Sequence, residues 1–198
     1  MVKTIHLVRH GHHALLGRML CGRMPGVSLS DEGCRQISDC AELLVPSPTA
    51  VQSSPRRRAQ QSAGILAWRF GLPVEIVPAM DEIDIGDWTG RAFDELDGDP
   101  AWRSWNEHRG SARPPNGESM RELQQRVVGH LEQLRADPSD GSVVIVSHAE
   151  PIRAALLHYC GIPLDDFLSV EIDAGSISTL SADRAGLHVS QINQRVAA

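Results

Sequence analysis

The stretch TIHLVRHG at residues 4–11 decides the fold of this chain. Thr4–Val8 is a short apolar run rich in β-branched residues, which predicts a buried strand that ends next to His10. The run SVVIVS at Ser142–Ser147 has the same character and is followed by His148. Ligands of open α/β sheets bind outside the carboxyl ends of the strands. Both histidines are therefore candidates for one anion-binding site.

Capping residues and apolar periodicity place helices between the strands. Further strands are predicted at residues 49–52, 74–77, 168–173, 177–182 and 187–192, and helices after Ser30, from Ser54-Pro55 to Phe70, after Ser119, and from Pro151 to Cys160. This alternation indicates an α/β fold of three layers, a mostly parallel sheet with helices on both faces, and the terminal strands allow an antiparallel edge. The length favours a single domain, 1–198, with an irregular excursion at about 80–118.

Composition argues against several classes of protein. With 25 acidic and 19 basic residues the formal net charge is −6, so nucleic-acid binding is not expected. The sequence has no apolar run near the roughly 18–20 residues that span a bilayer, so no membrane partner is expected. It shows no signal-peptide pattern at residues 1–5 and no CxxC among its four cysteines, which predicts reduced thiols and a cytoplasmic location. The oligomeric state stays open, with a homodimer among the alternatives.

Arg9 and His10 are the first residues that carry chemistry. A neutral imidazole is a nucleophile toward phosphorus and also a metal ligand. An arginine stays charged and binds two phosphate oxygens at once. A histidine alone at this place would more often be a loop residue without a role, but the neighbouring arginine favours a phosphate site.

Several further segments follow in order: GR at 22–23, LSxxGxxQ at 29–36, SSPxxRAxQSA at 53–63, EIxxGxWxG at 82–90, GES at 117–119, and VSH at 146–148 with IR at 152–153. Together with LVRHG at 7–11, they resemble the histidine phosphatase superfamily, in its phosphoglycerate mutase-like branch. The matches extend from residue 5 to about residue 155.

The resemblance implies a phosphoglycerate mutase-like fold and a phosphatase that hydrolyses small phosphomonoesters through a phosphohistidine, with no cofactor and no metal. His10 is then the nucleophile. Arg9, Arg58 and His148 surround the phosphate, and the SSPxxR spacing selects Arg58 from three consecutive arginines. Glu82 is the general acid for the leaving oxygen and then the base for water.

The sequence departs from the family pattern just after the nucleophile. His12, His13 and Leu16 stand where the family usually has an acidic residue or Gln, a Thr or Ser, and an Asn. We therefore expect His13 to donate a hydrogen bond to the phosphate. A metal site formed by His10, His12 and His13 is the alternative interpretation.

Substrate contacts are predicted from the excursion and from the loop at 12–23. Trp88, Trp102 and Trp105 either line a pocket for an organic leaving group or pack the excursion onto the body. Arg23 is a further candidate for contact with the substrate. Three arginines of the excursion either contact a second anionic group or are simply solvated: Arg103, Arg109 and Arg113.

Three alternative functions remain. A phosphoglycerate mutase would return the phosphoryl group to its substrate, but the stretch at 90–116 is short for a mutase. A non-catalytic phosphate-binding module would be expected to lack His10, Glu82 or His148, which are all present. A phosphoprotein phosphatase would need a shallow, open site. The sequence does not decide whether the excursion leaves the site open or closes it into a pocket.

Overall fold

A computed structural model describes residues 3–45, 47–138 and 141–196 of the chain. Within these residues the strands form a six-stranded sheet in the order β3-β2-β4-β1-β5-β6. The strands are β1 Thr4–Arg9, β2 Ala50–Ser53, β3 Val74–Ile76, β4 Ser142–Ser147, β5 Ile177–Ala182 and β6 Leu187–Gln194. The first four pair in parallel, whereas β5 and β6 form an antiparallel edge.

Helices cover both faces of this sheet. They are α1 Asp31–Cys40, α2 Arg57–Phe70, α3 Pro100–Glu107, α4 Met120–Ala136 and α5 Ala149–Cys160. Ile5 and Leu7 of β1 pack into the core with α4 and α5, and Val8 packs into the opposite core with α1 and α2. This alternation follows from the two-residue period of a strand. The predicted three-layer α/β class is confirmed.

Local capping signals predicted several helix ends correctly. Ser30 accepts the Gly33 N–H at 3.2 Å, and Ser119 forms a reciprocal capping box with Glu122. Gly71 ends α2 with a φ of 68°, a left-handed conformation that costs glycine little.

Two predicted helix starts were wrong by two residues. Helix α2 begins at Arg57 rather than at Ser54-Pro55; the Ser54 hydroxyl accepts the Arg56 N–H at 3.2 Å and also contacts the His148 ring at 2.7 Å within the site. Helix α5 begins at Ala149, so that Pro151 lies inside the first turn. Helix α2 begins four residues after the end of β2, and α5 begins two residues after the end of β4, so the first turn of each helix lies near a strand end.

The predicted strand at 168–173 was also wrong. The segment Leu164–Ser169 is a 3-10 helix, and the following residues pair with no strand among those the structure describes. Buried Val170 and Ile172 do alternate as in a strand. Their carbonyl oxygens, however, accept hydrogen bonds from the Arg153 and Arg9 guanidinium groups instead of from a neighbouring strand.

The excursion is more regular than predicted, because it contains helix α3. Asp99 caps this helix by accepting the Ala101 N–H at 2.8 Å, and Pro100 occupies its first position. A backbone bridge between Met19 and Ala92 ties the excursion to the loop at 12–23. Within the part of the chain that the structure describes, no helix is both long and apolar enough to cross a bilayer.

Candidate active site

The ends of two adjacent strands bring His10 and His148 together. Strands β1 and β4 are parallel neighbours with Arg9 opposite Ser147, so the next residue of each chain segment lies at the same sheet edge. Both histidines are buried, and their ring centroids are 5.1 Å apart. The predicted convergence of strand ends therefore holds for these two side chains.

Hydrogen bonds orient the His10 ring. Its Nδ1 lies 2.8 Å from the Gly11 carbonyl oxygen, which can only accept, so Nδ1 carries the proton and Nε2 carries the lone pair. Nε2 accepts from the Arg58 Nε–H at 3.2 Å. Burial, and then the positive charges of Arg58 and Arg9, hold the pKa of His10 well below its usual 6.5. The ring is therefore neutral at physiological pH and competent as a nucleophile at Nε2.

Glycine packing holds the loop that follows His10. A Cβ atom at Gly11 would overlap the backbone of Gly33, and one at Gly33 would overlap the carbonyl oxygen of His12. The Gly11 N–H also donates to the Ser62 hydroxyl at 3.2 Å. The close approach of the two glycine backbones therefore packs the nucleophile loop against the start of α1.

The start of α2 delivers Arg58 to the site. Arg58 is 2% exposed, and its Nη2 donates to the Gly22 carbonyl at 2.9 Å. Its Nη1 is buried and has no hydrogen-bond partner among the residues that the structure describes. Of the other two consecutive arginines, Arg57 is exposed and Arg56 pairs with Asp81 at 2.9 Å. Only Arg58 of the three lies against His10, as the spacing predicted.

His148 is held at one ring nitrogen and free at the other. Its Nε2 lies 2.7 Å from the Ser54 hydroxyl oxygen. Its Nδ1 is buried without a hydrogen-bond partner and lies 3.7 Å from Glu82 Oε2. Burial, together with the charges of Arg58 and Arg9, lowers the pKa of His148 well below its usual value.

Glu82 is a buried carboxyl that titrates near neutrality. Its Oε1 accepts the Ile83 N–H at 2.9 Å, and its Oε2 lies 3.9 Å from Arg58 Nη2. Burial raises the pKa of Glu82 to about 7, while the positive charge of Arg58 opposes the rise. The carboxyl is therefore present in both protonation states near pH 7, as a group that gives and takes protons requires.

Arg9 completes the positively charged side of the site. Its Nη1 donates to the Ile172 carbonyl at 2.6 Å, and its Nε is buried with no partner in the described part of the chain. Buried N–H groups are rarely left unpaired in folded proteins. Unpaired nitrogens on Arg9, Arg58 and His148 around the His10 ring therefore mark a place for an anion.

Of these groups, all but His148 line a cavity of about 280 Å³. Its polar lining consists of Arg9, His10, His13, Arg58 and Glu82 together with Asn106, Arg109 and Glu150. Its apolar and aromatic part is formed by Leu16, Met19, Leu20, Ile83, Ile85, Phe93, Trp102 and Trp105. This volume lies just below the roughly 300–1,000 Å³ of typical small-molecule sites, so a small ligand fits better than a segment of a protein.

Comparison with known proteins agrees with this geometry. A model of the histidine phosphatase superfamily (branch 1) matches residues 5–195. The chain belongs to this superfamily. It is 31% identical to phosphoserine phosphatase 1 of Hydrogenobacter thermophilus, over 98% of this chain and 92% of that protein. It is also 31% identical to glucosyl-3-phosphoglycerate phosphatase of Mycolicibacterium vanbaalenii, over 84% of this chain and 78% of that protein.

The fold of this histidine phosphatase is shared by solved structures. Bacillus stearothermophilus YhfR superimposes with a TM-score of 0.90 at 24% identity, covering 98% of each chain. A mycobacterial glucosyl-3-phosphoglycerate phosphatase superimposes with a TM-score of 0.85 at 25% identity, covering 98% of this chain and 99% of that one. The phosphoglycerate mutase-like fold, the family and the enzyme class, a phosphatase, are confirmed.

The two unusual histidines of this histidine phosphatase point to different places. His13 lines the cavity, its ring centroid 5.3 Å from that of His10, and its Nδ1 is buried without a partner. Burial, followed by the charges of Arg58 and Arg9, lowers the pKa of His13 to about 4. His12 turns away, with its Nδ1 2.8 Å from the Ser30 hydroxyl. Among residues 3–45, 47–138 and 141–196, no group of three His, Cys, Asp or Glu side chains is arranged to hold a metal ion.

Two predicted substrate contacts lie outside the cavity lining. Trp88 is 1% exposed and packs under Trp102, with ring centroids 5.2 Å apart, so it belongs to the core. Arg23 donates to the Glu82 carbonyl at 2.8 Å and to the Glu118 carboxylate at 3.0 Å. These hydrogen bonds hold the guanidinium group of Arg23 against the backbone of Glu82, so the side chain does not line the cavity.

Sequence reasoning missed two polar residues that line the cavity, Asn106 and Glu150, and named Arg109 only as one of three candidate arginines of the excursion. Glu150 follows His148 by two residues, which is the signal that could have found it. Asn106 and Arg109 lie at the end of α3, and no motif in the excursion distinguishes them from exposed polar residues.

Proposed function

We propose that this phosphatase hydrolyses small phosphomonoesters through a phosphoryl group carried on His10 Nε2, without a metal ion. One observation carries the proposal: the buried, neutral imidazole of His10 lines a cavity together with Arg9 and Arg58, whose guanidinium groups hold N–H groups without a hydrogen-bond partner among the described residues. These N–H groups can bind the phosphate oxygens and stabilise the charge that spreads over them in the transition state.

In the first step, His10 Nε2 attacks phosphorus and the bond from phosphorus to the ester oxygen breaks. The protonated Glu82 carboxyl donates its proton to that oxygen, so that a neutral alcohol leaves. The distance of 3.7 Å between Glu82 Oε2 and His148 Nδ1 supports this role, because it brings the carboxyl beside the anion site. Its pKa of about 7 keeps a large share of the carboxyl protonated at neutral pH.

In the second step, the ionised Glu82 carboxylate takes a proton from water. The hydroxide formed attacks phosphorus, and the bond from phosphorus to His10 Nε2 breaks. Inorganic phosphate leaves, His10 regains its lone pair, and Glu82 is again protonated. The Gly11 carbonyl holds the proton on Nδ1 throughout, which keeps Nε2 as the reacting atom.

The first test is phosphate release from p-nitrophenyl phosphate with EDTA present. We expect activity in the intact protein, loss by a factor of at least about 10³ in His10→Ala, and no change in His188→Ala, a control at an exposed histidine of β6. Urea unfolding followed by tryptophan fluorescence shows whether His10→Ala is folded. Activity that EDTA abolishes would contradict the metal-free mechanism.

A second test detects the intermediate. Mixing with substrate and quenching in base should leave one acid-labile phosphoryl group on the peptide that contains His10. In Glu82→Gln, kcat/KM for an alkyl phosphate, which reports phosphoryl transfer to His10 and not the later attack of water, should fall by about 10²–10⁴, because the leaving alkoxide has no proton donor. The kcat/KM for p-nitrophenyl phosphate should fall less, because its leaving group needs no proton. Equal losses of kcat/KM for the two substrates would contradict the role of Glu82 as general acid.

A further inference from the structure

Two arginines bind the carbonyl oxygen of Glu82, and neither is among the described residues that line the cavity. Arg23 Nε donates to this oxygen at 2.8 Å, and Arg126 Nη2 donates to it at 3.1 Å. The same peptide unit donates its Ile83 N–H to Glu82 Oε1 at 2.9 Å. Because a peptide unit is planar and moves as one body, the two arginines fix the plane to which the Glu82 carboxyl is bound.

The mostly buried carboxylate of Glu118 holds both arginines in place. Its side chain is 13% exposed. Its Oε1 accepts from Arg126 Nε at 2.6 Å, and its Oε2 accepts from Arg126 Nη2 at 2.9 Å and from Arg23 Nη2 at 3.0 Å. A bidentate pair between an arginine and a carboxylate has a defined orientation as well as a favourable charge. Glu118 therefore sets where the Arg126 guanidinium lies relative to the Glu82 carbonyl.

Further hydrogen bonds join Glu118 and Arg126 to the chain before and after Glu82. The Glu118 N–H donates to the Asp84 carbonyl at 2.7 Å, and the Asp84 N–H donates to Glu118 Oε2 at 3.3 Å. Arg126 Nη1 donates to the Ala79 carbonyl at 2.7 Å. The first turns of α4 and the residue before its cap are thus bound to the segment that carries Glu82 on both sides of this residue.

We propose that Glu118 and Arg126 are positioning residues, which fix the Glu82–Ile83 peptide and so hold the Glu82 carboxyl at the leaving oxygen. The proposal rests on the proposed phosphatase function and deepens it by adding residues that act through the general acid. A carboxyl must lie within hydrogen-bond reach of the oxygen that it protonates, and a displacement of about 1 Å can reduce the rate by about 10². Loss of this network should therefore impair proton donation and leave the attack of His10 on phosphorus largely intact.

Glu118→Gln tests the proposal. The amide keeps the shape of the carboxylate, but its NH₂ group replaces one acceptor oxygen, so at least one N–H group loses its acceptor and the negative charge between the two arginines is removed. We expect kcat/KM for glycerol 2-phosphate, whose leaving alkoxide needs a proton, to fall by about 10- to 100-fold. The kcat/KM for p-nitrophenyl phosphate should stay within about threefold, because its leaving group needs no proton.

Glu132→Gln is the matched control. Glu132 lies further along α4, and its carboxylate accepts from Arg135 Nε at 2.6 Å and from the Tyr159 hydroxyl at 3.0 Å. The substitution therefore also removes a pair between a carboxylate and an arginine on this helix. It should leave both kcat/KM values within about twofold.

Two further variants separate positioning from a general loss of stability. Arg126→Lys keeps the positive charge, but one ammonium group cannot replace three guanidinium nitrogens that bind a carboxylate and two carbonyl oxygens. It should show the same selective loss as Glu118→Gln. In Glu82→Gln, which has no proton to donate, adding Glu118→Gln should lower kcat/KM for glycerol 2-phosphate by less than about threefold.

The outcomes separate this proposal from the proposed function. Urea unfolding followed by tryptophan fluorescence identifies the folded variants. Equal losses for the two esters, or no loss, in folded Glu118→Gln or Arg126→Lys overturns the positioning role, and so does a full further loss in the Glu82→Gln background. Unfolding of both variants assigns the network to stability alone and overturns it too. In each of these cases the phosphatase stands if Glu82→Gln keeps its own selective loss.

Two results would remove the basis of the positioning role. The first is absence of p-nitrophenyl phosphate hydrolysis by the intact protein, and the second is absence of a selective loss in Glu82→Gln. Either result contradicts the proposed function, and the positioning role fails with it.

Discussion

We expect Glu82→Gln to stabilise the folded protein at pH 8 while it removes the proton donor. The Glu82 carboxyl is 13% exposed, and burial raises its pKa from the ordinary 4.5 to about 7. The folded state therefore binds the proton more tightly than the unfolded state does. The stability that protonation contributes is fully present below pH 4.5 and is lost as the pH rises through 7.

The magnitude follows from this difference in pKa. At about 1.4 kcal/mol for each tenfold change in acidity, ionisation of Glu82 costs the folded state about 3 kcal/mol at pH 8 and less than about 1 kcal/mol at pH 5. Glutamine resembles the protonated carboxyl in shape and cannot ionise. The gain in unfolding free energy should therefore be about 3 kcal/mol at pH 8 and small at pH 5.

Urea unfolding followed by tryptophan fluorescence measures this gain, since Trp88 and Trp105 are buried in the core. Glu107→Gln, at an exposed carboxylate, is the control and should change stability little at either pH. Destabilisation by Glu82→Gln at pH 8, or an equal gain at both pH values, would refute the argument that burial raises this pKa. A gain in unfolding free energy together with a loss of activity would show that Glu82 lowers the stability of the folded protein while it serves catalysis.

Further predictions concern pH, packing and capping. The kcat/KM for an alkyl phosphate should fall as the pH rises above about 7, when free Glu82 loses its proton, and the fall should be absent from the residual activity of Glu82→Gln. Gly33→Ala should destabilise the folded protein by at least about 2 kcal/mol and reduce activity, because the Cβ of the alanine would overlap the His12 carbonyl oxygen. An unchanged midpoint of thermal unfolding would contradict this. Trp88→Ala should cost about 3–5 kcal/mol through a core cavity, as urea unfolding would show. Ser119→Ala should cost about 1 kcal/mol by loss of the capping box and leave kcat/KM unchanged.

Much of the fold could be predicted because the signals are local. A β-branched run such as Ser142–Ser147 and a capping box such as that of Ser119 restrict the backbone wherever they occur. The prediction failed where a tertiary contact competes with the local signal. The carbonyls of Val170 and Ile172 bind arginine side chains instead of a strand.

The candidate site was predictable in its members and less so in their surroundings. His10, His148 and Arg58 follow strand ends or begin a helix, so parallel strand order alone brings them to one edge. The direction of a loop side chain depends on its packing partners, which have no local signal. Adjacent His12 and His13 therefore point to Ser30 and to the cavity respectively, a difference that their order in the chain does not predict.

By itself, the sequence determined the α/β class, the order of most strands and helices, and the residues from which we propose a phosphohistidine site is built, because periodicity, caps and motif spacing act over a few residues. Only the tertiary structure decided that Trp88 is core, that Glu82 titrates near neutrality, and that Arg109 and Glu150 share a cavity with His10. Burial and charge depend on atoms from segments far apart in the chain. These properties therefore emerge only when the excursion packs over the end of the sheet.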